Sequence, residues 1–294
     1  MTMLRTLRSL ALLLACTTPA ATAAAQGFTT SPSRPVKGSL FRVFVPDAKR
    51  GDQVTGEIAG EPLHFAWNAS DGAWALAAAP IDAPDSVTVE VSIVRSGGPQ
   101  KDILLRKVRL TPGSYPSERL SVNPRFGTKP DSATQARIDM EGARAAAVAR
   151  EAHQTPRLWE DPFTPPRPGR VTSGFGRARV FNGQVASRHM GTDFAGAVGA
   201  PVRAVNRGVV RIVDQFFLGG NVVYVDHGAG LVTAYLHLSA TDVAVGDTVA
   251  KGQMIGRVGA TGRVTGPHLH LIARYGGVTV NPMSLLAPAV KNEQ

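Results

Sequence analysis

The sequence predicts a mainly β protein with a small N-terminal β-sandwich-like domain, a connector that contains one helix, and a C-terminal antiparallel β domain. Three observations support this fold class. The 294 residues include 31 glycines and 21 prolines but only 6% aromatic residues, which favours turn-rich β structure over helix bundles. Apolar and polar residues alternate early in the chain, and short apolar runs separated by glycines fill its last part. With 43% hydrophobic and 18% charged residues, the chain is expected to form packed domains.

The first 25 residues have the composition of an export signal. Arg5 and Arg8 precede an apolar core at residues 10–15, and small residues at 19–25 end before Gln26. Such a segment is too short to span a membrane permanently, and no run of 18 or more apolar residues follows it. We therefore expect an exported protein of the periplasm or cell envelope, with no stable membrane span.

Cys16 is the one cysteine of the chain, and it lies inside this export segment. A single cysteine excludes a disulfide framework and any cysteine-based zinc site. Residues 13–16 could alternatively serve as a lipidation box, in which case Cys16 would carry a lipid anchor.

Residues 26–113 are predicted to form the N-terminal β domain, a sandwich of seven strands. A period of two is typical of a half-buried strand, and it is clearest for Val87, Val89, Val91 and Ile93. Further strands are predicted at residues 42–45, 55–58 and 104–110. His64 is isolated among apolar residues, so we interpret it as structural.

Residues 114–168 are predicted to be a connector with a helix at about 132–153. Ser132 and Gln135 have the spacing of a capping box at its start, and His153 would interact with the helix dipole at its end. The proline-rich run that follows favours an extended chain and a domain boundary near residue 165.

Residues 169–290 are predicted to form the C-terminal domain. Apolar strands at 209–213, 222–225 and 231–236 are separated by glycine-containing turns, and no helical period occurs between 171 and 280.

Histidines and acids of this last domain are the candidate functional residues. On a strand, His268 and His270 would project from the same face about 6 to 7 Å apart. His189 and Asp193 are four residues apart, and Gly191 between them would allow a bend that brings both to one ion. Imidazole and carboxylate ligands suit a catalytic zinc ion, whereas scattered structural histidines are the alternative. The candidates are His189, Asp193, His227, His237, His268 and His270.

Six motifs occur in order between about residues 170 and 287, and together they resemble the lysostaphin-type, LytM-like zinc metallopeptidases. These motifs are RHMGTDFA from 188, GAPV from 199, GNVV from 220, TAYLHL from 233, GQMIG from 252 and TGPHLH from 265. The preceding β region and the YPSERL stretch from 115 are similar to the N-terminal domain of some exported members of the family.

The resemblance implies one Zn²⁺ per chain, bound by His189, Asp193 and His270. It further implies that His237 and His268 assist the attacking water and stabilise the tetrahedral intermediate. The function implied is that of an exported zinc endopeptidase that hydrolyses peptide cross-links of peptidoglycan and remodels the cell wall. The two-domain layout favours D-alanyl cross-links over glycine bridges. His227 matches no ligand position and is interpreted as structural.

Two other functions remain open at this point. A non-catalytic wall-binding protein or amidase activator is disfavoured, because all five residues of the family's site are present. A biotinyl or lipoyl carrier is disfavoured because Lys251 lies in the wrong part of the carrier pattern.

The chain has a net charge of +10, and the part from residue 166 onward contains thirteen Lys and Arg but only six Asp and Glu. Positive charge attracts anionic wall polymer, while the absence of interleaved aromatic residues and the export signal argue against nucleic acid as a partner.

We expect a monomer, with a regulatory protein partner as an open question. The connector is long enough to cross the zinc site, so we also expect the N-terminal domain and connector to regulate access to it.

Overall fold

The computed structural model describes residues 27–67, 72–160 and 162–286, except for the side chain of Val185. The predicted export segment at residues 1–25, with Cys16, lies outside the described residues. Mainly β architecture is confirmed, because strands far outnumber helices in the described part of the chain.

Two four-stranded antiparallel sheets form the N-terminal sandwich. Its strands are β1 (Thr29–Ser31), β2 (Leu40–Val45), β3 (Gln53–Ile58), β4 (Glu61–Pro62), β5 (Ala66–Trp67), β6 (Ala73–Ala78), β7 (Ser86–Val94) and β8 (Lys101–Arg109). The orders are β1-β2-β6-β5 and β4-β3-β7-β8. The described sandwich therefore has eight strands, not the seven expected, because β4 and β5 are two residues long and too short to show a hydrophobic period.

One apolar core lies between these two sheets. The alternating residues of β7 (Val87, Val89, Val91 and Ile93) are all buried in it. Strand β6 contributes Ala73, Ala75 and Ala77 from the facing sheet. Successive side chains of a strand point to opposite faces, so the period of two predicted which face of β7 is buried.

The connector contains one strand and two helices: β9 (Ser117–Leu120), α1 (Pro124–Gly127) and α2 (Ser132–Glu151). The expected capping box at Ser132 is wrong, because Asp131 is the N-cap and its carboxylate accepts a hydrogen bond from the Thr134 amide at 2.7 Å. An ionised Asp also interacts favourably with the helix dipole, which explains why Asp131 and not Ser132 is the N-cap.

Helix α2 packs on the C-terminal sheet through small residues. Ala145, Ala149 and Ala152 are buried at helical spacing against a cluster that includes Ile212 and Tyr224. Alanine allows the helix axis to approach the sheet closely, so the connector forms part of the same packed body as the C-terminal domain.

His153 joins three parts of the chain at the end of α2. The expectation that it interacts with the helix dipole is wrong, because its ring bonds to His64 Nε2 through Nδ1 at 2.8 Å and to Glu61 Oε2 through Nε2 at 2.8 Å. Glu61 also accepts a hydrogen bond from the Gly277 amide at 2.8 Å. Glu61 and His64 belong to the N-terminal domain and Gly277 to the C-terminal domain, so this chain of hydrogen bonds links both domains to the connector.

The C-terminal domain is a β domain around a large antiparallel sheet. Its strands are β10 (Val171–Ser173), β11 (Ala178–Phe181), β12 (Val185–Arg188), β13 (Thr192–Ala195), β14 (Pro201–Arg203), β15 (Gly208–Phe216), β16 (Gly220–Gly228), β17 (Leu231–Thr241), β18 (Thr248–Val249), β19 (Met254–Val258), β20 (His268–Tyr275) and β21 (Val278–Val280). The main order is β10-β13-β20-β17-β16-β15-β18, and a short helix α3 (Pro282–Leu286) follows β21.

A second, three-stranded sheet places the connector beside this domain. Strand β9 of the connector pairs in parallel with β11, which in turn pairs with β12. Residues 117–120 therefore lie next to residues 178–181, close to β10 and the start of β13. Within the described ranges, no helix has the length and apolar composition needed to cross a membrane.

Candidate metal centre and active site

Neighbouring strands of the main sheet position the candidate ligands. In the pairing of β13 with β20, Asp193 lies opposite His270 and Ala195 lies opposite His268. His270 is also opposite Leu236 of β17, so His237 follows next along that strand. Directly opposed residues in antiparallel strands have Cβ atoms about 5 Å apart, which brings the side chains of Asp193 and His270 together.

His189 reaches the same point from the loop before β13. Its amide donates to the Arg177 carbonyl at 2.8 Å, and its carbonyl accepts from the Gly176 amide at 2.7 Å, so the loop is fixed to the turn after β10. His189 Nε2 lies 3.0 Å from Asp193 Oδ1 and 2.9 Å from His270 Nδ1. His270 Nδ1 lies 2.7 Å from the same Oδ1. These three buried residues thus present one ligand atom each to a common point.

Gly191 makes room for this arrangement. A Cβ atom at Gly191 would lie 2.5 Å from His270 Nε2 and 2.5 Å from the Leu271 carbonyl oxygen. The sequence predicted that this glycine allows a bend, but its backbone is not in the left-handed region. A glycine is therefore needed at position 191 because the His270 ring occupies the space of a Cβ atom, and not because of its backbone conformation.

The donor set fits a zinc ion. His189 Nδ1 lies 2.7 Å from the Gly174 carbonyl oxygen, and Nδ1 therefore carries the proton. The lone pair of His189 Nε2 is then directed towards Asp193 and His270. Burial lowers the pKa of His270 to about 4, which keeps its imidazole neutral. Burial alone would raise the pKa of Asp193, but hydrogen bonds with His189 and His270 outweigh it and hold that pKa well below the usual carboxyl value. Two neutral imidazoles and one carboxylate are a common ligand set for catalytic zinc.

His237 and His268 flank the three-residue group. Their rings are 5.0 Å apart between centroids, and His237 is 5.7 Å from the His270 ring. His237 Nδ1 donates to the Thr261 carbonyl at 2.8 Å, and His268 Nδ1 donates to the Gly266 carbonyl at 2.8 Å. In the neutral form of each ring Nε2 therefore carries the lone pair, and Nε2 of His268 is 3.6 Å from Asp193 Oδ1.

The backbone at His237 is strained. Its φ is +64°, a left-handed conformation that costs a non-glycine residue on the order of 1 kcal/mol or more. A hydrogen bond from its amide to the Gly219 carbonyl at 2.8 Å holds this conformation, and burial lowers its pKa well below the usual value. A strained residue persists only where the surrounding structure holds it in place, and such residues cluster at functional sites.

Arg179 is a charged neighbour of the ligand group that sequence analysis missed. Its Nη2 donates to Asp193 Oδ2 at 2.9 Å, and its Nε donates to Glu118 of the connector at 3.1 Å. Ser173 donates to Glu118 at 3.0 Å and lies 3.4 Å from His189 Nδ1. The pairing of β9 with β11 creates this network, and no local sequence pattern indicates a pairing across about 60 residues.

A groove of about 390 Å³ opens beside the group. Its wall includes Asp193, His237 and His268, together with Glu118 and Leu120 from the connector. Three arginines also line it: Arg170, Arg179 and Arg263.

All five predicted site residues lie together, and the other histidines lie elsewhere. His227 is fully buried, with Nδ1 2.7 Å from the Arg207 carbonyl oxygen and Nε2 2.8 Å from Thr233 Oγ1. This environment is the structural one that the sequence predicted for it. His64 and His153 form the link between domains described above.

A β domain in which two histidines and an aspartate converge, with two more histidines beside them, defines a metallopeptidase domain. Residues 187–282, which lie within the C-terminal domain, match the model of Peptidase family M23. Metallopeptidases of this family are zinc-dependent, in agreement with the donor set of the site.

Curated relatives match less than half of the chain. The chain is 40% identical over 125 residues to the peptidoglycan DD-endopeptidase ShyC of Vibrio cholerae, a match that covers 42% of this chain and 29% of ShyC. It is 47% identical over 100 residues to the DD-carboxypeptidase/endopeptidase Mpg of Neisseria meningitidis, covering 34% of this chain and 23% of Mpg. The chain thus spans less than a third of the length of these relatives.

A solved structure resembles nearly the whole chain. The crystal structure of a peptidase M23 protein from Pseudomonas aeruginosa superimposes with a TM-score of 0.68 and covers 87% of this chain and 96% of its own. The sequences are 24% identical, so this likeness concerns the fold, including the arrangement of N-terminal and C-terminal parts.

Proposed function

We propose that this protein is an exported zinc endopeptidase that hydrolyses peptide cross-links of peptidoglycan. The observation that carries this proposal is the convergence of three ligand atoms within 3.0 Å of one another, beside two histidines whose Nδ1 atoms donate to backbone carbonyls. The names of ShyC and Mpg support a wall peptide as the substrate.

His189, Asp193 and His270 would hold the zinc ion. Bound zinc polarises a peptide carbonyl and lowers the pKa of water to about 7. Arg179 keeps Oδ2 of Asp193 occupied, which leaves Oδ1 directed at the two imidazoles. Gly174 fixes the tautomer of His189 in the form needed for a ligand.

His237 and His268 would transfer the proton and stabilise developing charge. Each donates its Nδ1 proton to a backbone carbonyl, so each Nε2 can accept a proton from water. A ring protonated in this way becomes a donor that can hold a carbonyl oxygen as it gains negative charge. This pair takes the role that a glutamate has in many other zinc peptidases.

D-alanyl cross-links are the proposed bonds. This proposal is supported by the names of the two relatives, which contain DD-endopeptidase and DD-carboxypeptidase/endopeptidase activity. We further propose that residues 1–25 direct export and that the protein acts as a monomer in the periplasm or envelope, where its substrate is found.

Digestion of purified peptidoglycan tests this function. The full chain is incubated with the polymer after zinc loading or after treatment with a chelator, and the soluble fragments are analysed by mass spectrometry. We expect cross-linked dimers to be lost with the zinc-loaded protein and to remain with the chelated protein. Zinc added back to the chelated sample should restore the loss of dimers. Zinc binding without any loss of dimers would contradict the proposal and favour a wall-binding role.

A further inference from the structure

Arg263 is a half-buried cation in the wall of the groove, close to the two flanking histidines. It lies on the loop between β19 and β20, and its guanidinium stacks over the Phe181 ring at 4.2 Å from the centroid. Among the described residues, no hydrogen bond or ion pair of its side chain is present. Its backbone amide donates a hydrogen bond to the Leu218 carbonyl.

The two acids that line the groove together with Arg263 are already engaged with other arginines. Glu118 pairs with Arg177 at 3.0 Å and with Arg179 at 3.1 Å. Asp193 pairs with Arg179 at 2.9 Å and belongs to the ligand group. Neither carboxylate therefore neutralises Arg263.

This environment is unfavourable for a charge without a partner. Burial, with a further contribution from the nearby charge of Arg179, lowers the pKa of Arg263 to about 10, so the side chain is still a cation at neutral pH. A cation stacked on an aromatic ring gains only part of what it loses on leaving water. A carboxylate that entered the groove would supply the missing partner, because a guanidinium binds carboxylates with two parallel hydrogen bonds.

A purely structural role for the side chain is not supported by its contacts. Structural arginines in this domain bind backbone carbonyls or acids, as Arg203 does with the Gly252 carbonyl at 2.9 Å and Arg211 does with Asp226 at 2.9 Å. Arg263 has neither kind of contact and faces the groove instead. Exposed Arg170 on the same wall adds to the positive charge there.

We infer that Arg263 binds a carboxylate of the peptide substrate beside the bond to be cleaved, so that the enzyme selects anionic peptides. This inference rests on the proposed function and adds a substrate feature to it. Two carboxylates of a cross-linked wall peptide could meet Arg263: one on the side chain of the residue next to the cleaved bond, and one at the C-terminus of the peptide.

The test compares three synthetic cross-linked peptide dimers as substrates of the zinc-loaded full chain. The first dimer has all carboxylates free, the second carries an amide in place of the side-chain carboxylate next to the cleaved bond, and the third carries a C-terminal amide. For the wild type we expect kcat/KM to be about tenfold or more lower for one of the two amidated dimers, and that dimer identifies the carboxylate that is bound.

Variants then connect this preference to Arg263. For Arg263→Gln we expect kcat/KM for the free dimer to fall about tenfold to a hundredfold, mainly through KM, and the preference for the free dimer to vanish. Arg263→Lys keeps the charge and should retain part of the preference. Arg207→Gln removes one exposed positive charge outside the groove and should leave the preference as it is.

The possible results separate this inference from the proposed function. Equal cleavage of all three dimers by the wild type, or an unchanged preference in folded Arg263→Gln protein, would overturn the inference and leave the endopeptidase activity standing. No cleavage of any dimer by zinc-loaded protein would overturn both. Thermal unfolding and zinc content of each variant show whether it is folded and loaded.

Discussion

Arg179 donates a hydrogen bond to Oδ2 of Asp193 at 2.9 Å, while Oδ1 of the same carboxylate faces His270 and His189. The carboxylate is thus shared between a positioning arginine and the candidate metal group. Arg179 is in turn held by Glu118 of the connector at 3.1 Å. The orientation of a candidate metal ligand therefore depends on a residue outside the C-terminal domain.

Arg179→Gln should weaken zinc binding about tenfold to a hundredfold, the usual effect of removing a group that orients a ligand. The reason is that Asp193 can then rotate and lose its alignment with the two imidazoles. Competition with a chromogenic chelator measures the affinity. Arg177→Gln is the matched control, because Arg177 pairs with Glu118 and makes no contact with Asp193. Equal zinc affinities for the two variants would contradict a positioning role for Arg179.

Gly191→Ala should also weaken zinc binding, for a steric reason. The new methyl group would lie 2.5 Å from His270 Nε2 and would force the ring out of its position. The zinc content of purified protein, measured by atomic emission, is expected to fall well below one ion per chain. Gly142→Ala on helix α2 meets nothing within 4 Å and should retain the full content. Normal zinc binding by Gly191→Ala would show that the His270 ring can adjust.

Removal of His237 or His268 should abolish turnover without releasing zinc. Neither belongs to the three-residue ligand group, but both line the groove, and each donates its Nδ1 proton to a backbone carbonyl. His237→Ala and His268→Ala are expected to bind one zinc ion and to lose about 10² to 10⁴ in kcat. Zinc content and dimer hydrolysis are measured on the same preparations. Loss of zinc from either variant would contradict the division of roles proposed here.

His227→Gln should weaken the fold and leave zinc bound. His227 is fully buried and contacts the Arg207 carbonyl oxygen and Thr233 Oγ1. Loss of a buried hydrogen bond costs about 1–3 kcal/mol, so the free energy of unfolding in urea should fall by that amount. Stability equal to that of the wild type would show that the pocket accommodates the amide without loss.

The link between domains should make stability depend on pH through His64. Burial, together with repulsion from His153 and Arg157, lowers the pKa of His64 to about 4. In the unfolded chain its pKa is about 6.5, so between these values the unfolded state binds more protons than the folded state. The contribution of neutral His64 is therefore complete above pH 6.5 and is lost as the pH falls towards 4.

Urea unfolding at pH 7.0, 5.5 and 4.5 measures this contribution. The groups that face or approach His64 are His153, Arg157 and, through His153, Glu61. Relative to His64→Gln, the wild type should lose up to about 1.4 kcal/mol more per pH unit, the value for one proton. Identical pH slopes for the two proteins would contradict the depressed pKa of His64.

Four of the five candidate site residues form pairs whose geometry is local or strongly patterned in the sequence, whereas His237 was assigned its role through the family resemblance. His268 and His270 share a face of one strand, and His189 and Asp193 are separated by one short loop. Their meeting point could be anticipated only through the family resemblance, since the pairing of β13 with β20 joins residues about 77 positions apart.

Contacts that depend on the connector could not be predicted in this way. Glu118 reaches Arg179 because β9 adds in parallel to β11, and neither strand has a pattern that specifies the partner. His153 was expected to act on its own helix, but the fold places Glu61 and His64 against it instead. Regulation of the groove by the connector stays a prediction, although Glu118 and Leu120 do lie in its wall.

Hydrolysis of peptidoglycan in water enriched with ¹⁸O tests the central claim most directly. A zinc endopeptidase adds one oxygen from water to the new carboxyl group, so mass spectrometry of the fragments shows which bond was cut. We predict one ¹⁸O atom in the D-alanyl carboxyl group released by zinc-loaded protein and none after chelation. Incorporation into sugar fragments, or the same incorporation with and without chelator, would contradict the account.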